Sequence, residues 1–401
     1  MKGLKGRYLL VLIALCGIMA ASGGLTVNVA GLFFSPMSEE FSVGRGSIAL
    51  GMTICNLAGS FAGLAVGRVV RSERFHPAVL AGSAVTAGAS ALLGLTRGLV
   101  SLYLLQALRG VSTGLVGMVL ATMMLNNWFR AGAGLFTSIV MGFSGLASAL
   151  FSPVLSGIIQ SQGWRAAYFA SAALIVLFSL PVVLFPIGLK PADVGMEPFG
   201  EEPGREGAAR PAEAPSPIRR DLLALCLLYA VLTGFLPTVV QHLPGIAESY
   251  MLAASVGAAM LSVGMIANTG GKLIIGVLVD RLGTRLSVLI MSCAVALGVV
   301  SVMTVRNAAG MLAGAALIGF AYSLCTVGIV MTVRDSFGAA NYGLVYPKAS
   351  LCMTVTYALG SSLIGFVYDA TRSYVPILWL ILAVLAGTAS VTLAIYARKG
   401  A

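Results

Sequence analysis

Charged residues are scarce in this sequence of 401 residues, at 10% against 58% hydrophobic residues. A soluble protein carries about 25% charged residues. The composition therefore indicates a polytopic membrane protein. Carboxylates are especially few, with 14 acidic residues against 25 lysines and arginines. None of the 14 falls in the middle of an apolar segment.

The sequence also lacks the usual patterns of metal sites and enzymes. Its six cysteines lie inside apolar runs without a C-x-x-C pair, so we interpret them as packing residues rather than as zinc ligands or a disulfide framework. No metal cluster, nucleophile–base pair or phosphate loop is found, and we expect neither an enzyme nor a cofactor. The net charge of +11 is expected on cytoplasmic loops and not on a nucleic-acid surface.

Twelve apolar segments are each long enough to cross a membrane, since about 20 residues suffice. Helices are the only spanning structure that such uniform runs allow. The predicted spans are 8–34, 46–68, 76–96, 99–127, 132–160, 165–189, 220–245, 251–280, 285–305, 308–333, 342–369 and 374–397.

Basic residues give the orientation of these spans. Of the 25 lysines and arginines, 17 fall in loops and tails on one side and 5 on the other, and 3 lie inside spans. By the positive-inside rule, both termini are predicted in the cytoplasm, in a cell (inner) membrane. The apolar run at the start continues to Phe34, which is too long for a signal peptide, so we expect the first span to be retained.

Residues 190–217 differ from the rest, being rich in Pro, Gly, Glu and Ala. Such a segment cannot bury enough apolar surface to fold and is predicted to be a flexible cytoplasmic linker. It divides the chain into an N-terminal six-helix bundle, 1–189, and a C-terminal six-helix bundle, 218–401.

Lys272 is the most informative single residue. It precedes Asp280 by eight residues, which places it about 12 Å deeper in a helix. The half-thickness of a bilayer core is about 15 Å, so Lys272 is predicted near the midplane. A cation there is by default a functional residue, here a counter-charge for an anion. The alternative is a lysine that snorkels or lines a helix contact.

The two halves repeat a motif at the end of their second spans. The second half has Gly276-Val-Leu-Val-Asp280-Arg281, and the first half has Gly63-Leu-Ala-Val-Gly67-Arg68. Two six-helix repeats with a midplane site describe a secondary transporter.

These residues resemble the major facilitator superfamily, whose pattern G-x-L-x-D-R-x-G follows span eight here from Gly276 to Gly283. The resemblance implies an all-α membrane protein with 12 transmembrane helices in two pseudo-symmetric bundles. It also implies gating or structural roles for Asp280, Arg281 and Arg68, although Gly67 replaces the acid of the first copy. Arg109 with Gly110 looks like the span-four arginine motif, for which we favour a structural or gating role.

Within the superfamily, PMSEEFSVGRGSIALGMT, NNWFRAGAGLFTSIVMGFSG, KPADVGMEP and NYGLVYPKAS resemble the oxalate/formate antiporter and monocarboxylate transporter branch. That branch pairs a span-eight cation, usually arginine, with the substrate carboxylate, and Lys272 occupies this place. A lysine is a compact point charge rather than a bidentate fork. Lys348 falls near a lysine of the antiporter branch, one residue out of register, and could instead snorkel to the cytoplasmic surface.

Polar residues within spans complete the predicted substrate site. Asn268 ranks first because it is four residues before Lys272 and shares its helix face. Proton-coupled monocarboxylate carriers have an aspartate where this sequence has Asn268, which argues against proton symport through that pair. A lysine could still carry a proton, because burial favours its neutral form. Exchange and uniport need no such group. The other polar residues are Asn28, Tyr322 and Tyr346, with Asn56, Gln241, His242 and Tyr357 as weaker candidates.

The predicted function is secondary transport of a small mono- or dicarboxylate through the bilayer, by a chain that works as a monomer. One alternative is a membrane receptor that senses an anion without transporting it. The other is an efflux carrier for a neutral or drug-like solute, although the lack of a midplane carboxylate argues against cations.

Overall fold

The computed structural model describes residues 6–131, 133–200 and 218–399, and the regular secondary structure of this part is helical. We number its α-helices α1 to α15 in chain order. They are Arg7–Met19, Gly31–Phe41, Arg45–Gly63, Val66–Val69, Phe75–Leu93, Leu99–Leu115, Met118–Trp128, Ala133–Leu184, Arg220–Phe235, Leu243–Ser249, Ala254–Thr304, Ala308–Gly319, Ala321–Ser323, Ile329–Thr371 and Val375–Lys399. Two π-helical segments, Ala20–Asn28 and Leu324–Gly328, follow α1 and α13.

Ten helical stretches of the described chain are long and apolar enough to cross a membrane. Two of them, Leu135–Leu184 and Ala254–Thr304, have 50 and 51 residues, whereas one crossing needs about 20. Each of these two is long enough for two crossings, which is compatible with the predicted count of twelve. The prediction of an all-helical, multi-pass membrane protein is confirmed.

Glycines interrupt both long helices near their middle. Gly163 in α8 has φ 84° and ψ 164°, and Gly283 in α11 has φ 77° and ψ 162°. Only glycine adopts such a conformation without steric cost. The two breaks fall in the predicted loops after spans five and eight, so the chain turns where the sequence indicates.

The described residues form two compact units. Unit 1 comprises those of Met1–Val43 and Leu50–Ala208, and unit 2 those of Gly44–Ala49 and Ala209–Ala401. The core of unit 1 contains the fully buried Trp128 and Phe75 together with aliphatic residues of α1 and α8. Trp128 also donates a hydrogen bond from its indole nitrogen to the carbonyl of Gly188, at 3.0 Å.

The first part of the predicted linker packs on unit 1. Residues Pro191–Val194 form a 3₁₀ turn, and Arg7 donates to the carbonyl of Val194 at 2.9 Å. The backbone N–H of Phe199 donates to Trp128 at 2.8 Å, and its ring lies 5.4 Å from that of Tyr8. Residues 190–200 are therefore ordered by non-local contacts, whereas 201–217 lie outside the described residues.

Close helix packing in unit 2 depends on glycine. Gly319 at the end of α12 lies against the backbone of Gly264 in α11, where a Cβ atom would collide with the carbonyl oxygen. A Cβ on Gly298 would lie 2.7 Å from the carbonyl oxygen of Gly314. Small residues let membrane helices approach this closely. The pairing fixes α12 and α13 against the helix that carries Lys272.

Unit 2 also includes the start of α3. The backbone N–H groups of Arg45 and Gly46 both donate to the carboxylate of Asp369, each at 2.8 Å. The guanidinium of Arg45 forms an ion pair with Glu248 at 2.8 Å and lies 4.5 Å from the ring centre of Tyr368. Asp369 therefore caps two free helix N–H groups with a full negative charge.

Candidate substrate site

Lys272 lies on α11 beside the face that packs against α12 and α13. That face contains Gly264, Asn268, Gly271 and Ile275, which are buried at helical spacing. A Cβ on Gly271 would lie 2.8 Å from the ring of Phe320. Lys272 follows Gly271 directly and is half-buried at the margin of this contact.

No carboxylate of the described residues forms an ion pair with Lys272. Its electrostatic interaction is with the thiol of Cys325. A lysine at membrane depth is costly to hold without a partner. The amine thus lies among neutral polar groups.

Asn268 lies one helical turn before Lys272 and is 4% exposed. Its amide nitrogen has only a weak contact with the sulfur of Met265, at 4.0 Å, and its Oδ1 has no hydrogen-bond partner in the described part of the chain. A buried amide without partners typically costs about 1–3 kcal/mol. A half-turn of the amide would exchange Oδ1 for Nδ2, so the residue can offer either an acceptor or a donor.

Cys325 belongs to a polar cluster in unit 2. It lies in the π-helical segment Leu324–Gly328, and its Sγ is 3.3 Å from the carbonyl of Tyr322. Besides Lys272, the side chains of Tyr322, Tyr346 and Tyr357 interact with it electrostatically. The rings of Tyr322 and Tyr357 lie 6.5 Å apart.

The structure thus brings Lys272, Tyr322 and Tyr346 to one cluster, and Asn268 lies one turn from its amine. Cys325 was not among the predicted site residues, since a cysteine in an apolar run is interpreted as a packing residue. No sequence signal distinguishes it from the other five.

Lys348 takes a different position from the other predicted ligands. It is exposed on α14, and no hydrogen bond or ion pair joins it to the cluster within the described residues. Tyr346, two residues earlier, is half-buried and stacks on Tyr342 with ring centres 5.0 Å apart.

Asn28 and Arg109 are predicted residues that belong to unit 1 and are buried there. Asn28 ends the π-helical segment Ala20–Asn28, and its amide donates to the carbonyl of Ser144 at 3.3 Å. Arg109 on α6 is 2% exposed and donates to Gln106 Oε1 at 3.2 Å and to the carbonyl of Thr26 at 3.4 Å. These contacts are compatible with the structural role predicted for Arg109.

The residues of the predicted gating motifs are exposed at helix ends. Arg68 lies in the short α4, and Asp280 and Arg281 lie three and two residues before the break at Gly283. Within the described ranges, none of the three forms an ion pair. Their gating role stays a prediction.

The sequence matches the family model of the Major Facilitator Superfamily over residues 14–346. Among solved structures, the chain is similar to a mutant of the nucleoside transporter NupG, with a TM-score of 0.73 and 13% sequence identity over 96% of this chain and 100% of that chain. At this identity, the likeness concerns the fold alone. The curated proteins contain no match to the sequence.

Proposed function

The chain belongs to the major facilitator superfamily and is a membrane transporter, and we propose that it carries a small organic anion by alternating access. The observation that supports this substrate class is the half-buried amine of Lys272, which no carboxylate neutralises within the described residues. A carboxylate ligand would supply the missing negative charge. A neutral solute would leave the amine unpaired.

The neutral polar groups around Lys272 can hydrogen-bond the oxygens of a bound carboxylate. The phenols of Tyr322, Tyr346 and Tyr357 are hydrogen-bond donors, and the Asn268 amide both donates and accepts. Hydrogen bonds to a charged group contribute about 1.5–3 kcal/mol each. We propose that the substrate is a mono- or dicarboxylate. Lys348 would be an additional ligand only for a dicarboxylate.

The proposed transport mode is exchange or uniport, with proton symport as the third possibility. Asn268 occupies the place at which proton-coupled carriers have an acid, so the proposed site does not include a carboxylate as proton carrier. The resemblance to the oxalate/formate antiporter and monocarboxylate branch supports exchange. The proposal includes a monomer in a cell membrane, with both termini on the cytoplasmic side as the basic loops indicate.

Tracer counterflow in proteoliposomes tests the proposal. Vesicles containing the reconstituted protein are loaded with one unlabelled solute and exposed to labelled oxalate, lactate or acetate. We expect Lys272→Ala to reduce exchange by about tenfold or more, because one charge-assisted contact is lost. Lys272→Arg, which retains the charge, is expected to keep a measurable part of it.

Lys399→Ala is the matched control, since Lys399 is exposed near the end of α15. Wild-type exchange by Lys272→Ala would refute the proposed site. Anion binding in a thermal-shift assay without tracer exchange would indicate a receptor instead. Competition by uridine or acetamide, but by no carboxylate, would indicate a neutral cargo, uridine being included because the fold neighbour is a nucleoside transporter.

A further inference from the structure

Arg109 is a buried cation in unit 1 that the proposed site does not use. It lies on the buried face of α6 with Leu102, Gln106 and Gly110. Two of its terminal N–H groups donate to Gln106 Oε1 and to the carbonyl of Thr26, both neutral acceptors. Its Nε has no hydrogen-bond partner in the described part of the chain. The guanidinium carbon lies 6.0 Å from the ring centre of Tyr168.

No carboxylate balances this charge among the described residues of unit 1. Glu40 pairs with Arg165 at 2.5 Å, and Asp193 accepts the backbone N–H of Lys190 at 2.9 Å. The other described acids of the unit form no ion pair with Arg109; they are Glu39, Glu73 and Glu197.

A structural role explains this arrangement only in part. The two hydrogen bonds to neutral acceptors do not require a charge, whereas a buried, unpaired ion costs several kcal/mol. A guanidinium offers five N–H groups in a planar fork that matches a carboxylate. The hydrogen bonds of Arg109 therefore do not explain why this position carries a charge.

The backbone opposite Arg109 is irregular. Its acceptor Thr26 lies in the π-helical segment Ala20–Asn28. Such segments are rare and occur frequently at functional sites. Because Arg109 is 2% exposed, a ligand reaches its Nε only when a neighbouring part of unit 1 moves.

We propose that Arg109 is an anion-binding residue in unit 1, and that its Nε and one terminal nitrogen hold a carboxylate of the transported anion. The inference rests on the proposed function, since it concerns the same class of substrate. It assigns to Arg109 a role in binding in addition to its contact with Thr26. The site as proposed is formed by Arg109, Gln106, Thr26 and Tyr168, all in unit 1.

Gln106→Glu tests this proposal with a nearly isosteric change. The variant places a carboxylate 3.2 Å from the guanidinium, at the position of Gln106 Oε1. If Arg109 binds anions, the new carboxylate occupies it, and we expect the dissociation constants of oxalate and acetate to rise about tenfold or more. The melting midpoint without anion is expected to rise, since the buried charge gains a partner.

If Arg109 has only a structural role, anions should bind to Gln106→Glu as tightly as to the wild-type protein. The contact with Glu would then replace the contact with Gln, and the anion-induced rise of the melting midpoint would be unchanged. Gln160→Glu, at an exposed site on α8, controls for the added negative charge.

Arg109→Gln is the second variant, in case Gln106→Glu does not fold. We expect an unchanged or higher midpoint without anion and a loss of the anion-induced rise. A lower midpoint with the rise intact would overturn the inference. If the wild-type protein itself shows no rise with oxalate or acetate, the proposed function fails; if it does and both variants match it, only the inference about Arg109 fails.

Discussion

The amine of Lys272 and the thiol of Cys325 interact electrostatically between α11 and the π-helical segment of unit 2. The close approach of α12 to α11 at Gly319 and Gly264 positions this segment. The thiol gives a chemical reporter beside the proposed anion ligand, because its modification can be measured directly.

Cys325 is 6% exposed, so a reagent reaches it only when the transporter opens this region to solvent. In that conformation we expect it to react faster with a negatively charged methanethiosulfonate reagent than with a positively charged one. A unit charge at about 10 Å and an effective dielectric constant of about 20 contributes about 1.7 kcal/mol, or more than tenfold in local concentration. The measurement is the rate of modification of Cys325, followed by mass spectrometry. We further expect oxalate or acetate to slow the reaction.

Lys272→Gln is the control, and it should abolish the preference for the negative reagent. Cys325→Ala identifies the background from the other five cysteines, which are also free thiols. Equal rates for the two reagents in the wild-type protein would contradict a positive site beside Cys325.

Asn268→Asp is expected to convert the site into an ion pair. The two side chains share one helix face at four-residue spacing, with the acid N-terminal to the lysine, which is the favourable order. At pH 8 the introduced carboxylate would neutralise Lys272 and reduce anion exchange about tenfold or more. The reduction should persist as the pH falls towards 5, because the neighbouring lysine favours the ionised carboxylate.

Asn268→Ala distinguishes the effect of losing the amide from the effect of adding a carboxylate. It removes the amide without adding an acid, so it should reduce exchange less than Asn268→Asp does. If Asn268→Asp exchanges anions at the wild-type rate at pH 8, anion binding does not require the charge of Lys272.

The sequence predicts the fold well because hydropathy and glycine placement are local properties. The helix breaks at Gly163 and Gly283 lie in the loops expected after spans five and eight. The ordering of residues 190–200 could not be predicted in this way. It depends on pairings such as that of Phe199 with Trp128, which are distant in sequence.

The candidate site was predictable only in part, since Tyr322 and Tyr346 were expected beside Lys272 and Cys325 was not. Helical spacing places Asn268 on the same face, but it does not indicate which residue of a neighbouring span faces them. The π-helical segment adds to the difficulty, since it shifts the side-chain register that a regular helix would give. Cys325 therefore lies beside Lys272 while having the sequence context of a packing residue.

Asp369→Asn is expected to lower the free energy of unfolding by about 1–3 kcal/mol. The carboxylate accepts the backbone N–H groups of Arg45 and Gly46, and hydrogen bonds to a charged acceptor are stronger than neutral ones. The amide of asparagine can accept with one atom only and sets its NH₂ against the second donor. The measurement is thermal unfolding in detergent. Asp221→Asn, at an exposed pair with Arg219, is the matched control and should change little.

Gly319→Ala should reduce both stability and anion affinity. An added Cβ at this position would meet the carbonyl oxygen of Gly264 and lie 2.9 Å from the Cβ of Ala267, so α12 must move away from α11. Overpacking of this kind typically costs about 1–3 kcal/mol. The same displacement would carry the π-helical segment and Cys325 away from Lys272, and we therefore expect a weaker anion-induced rise of the melting midpoint.

Gly270→Ala on α11 is the comparison for stability, since a Cβ there has no neighbour within 4 Å and alanine favours the helix by up to about 1 kcal/mol. Equal melting midpoints for the two alanine variants would mean that the glycine contact does not set the distance between these helices.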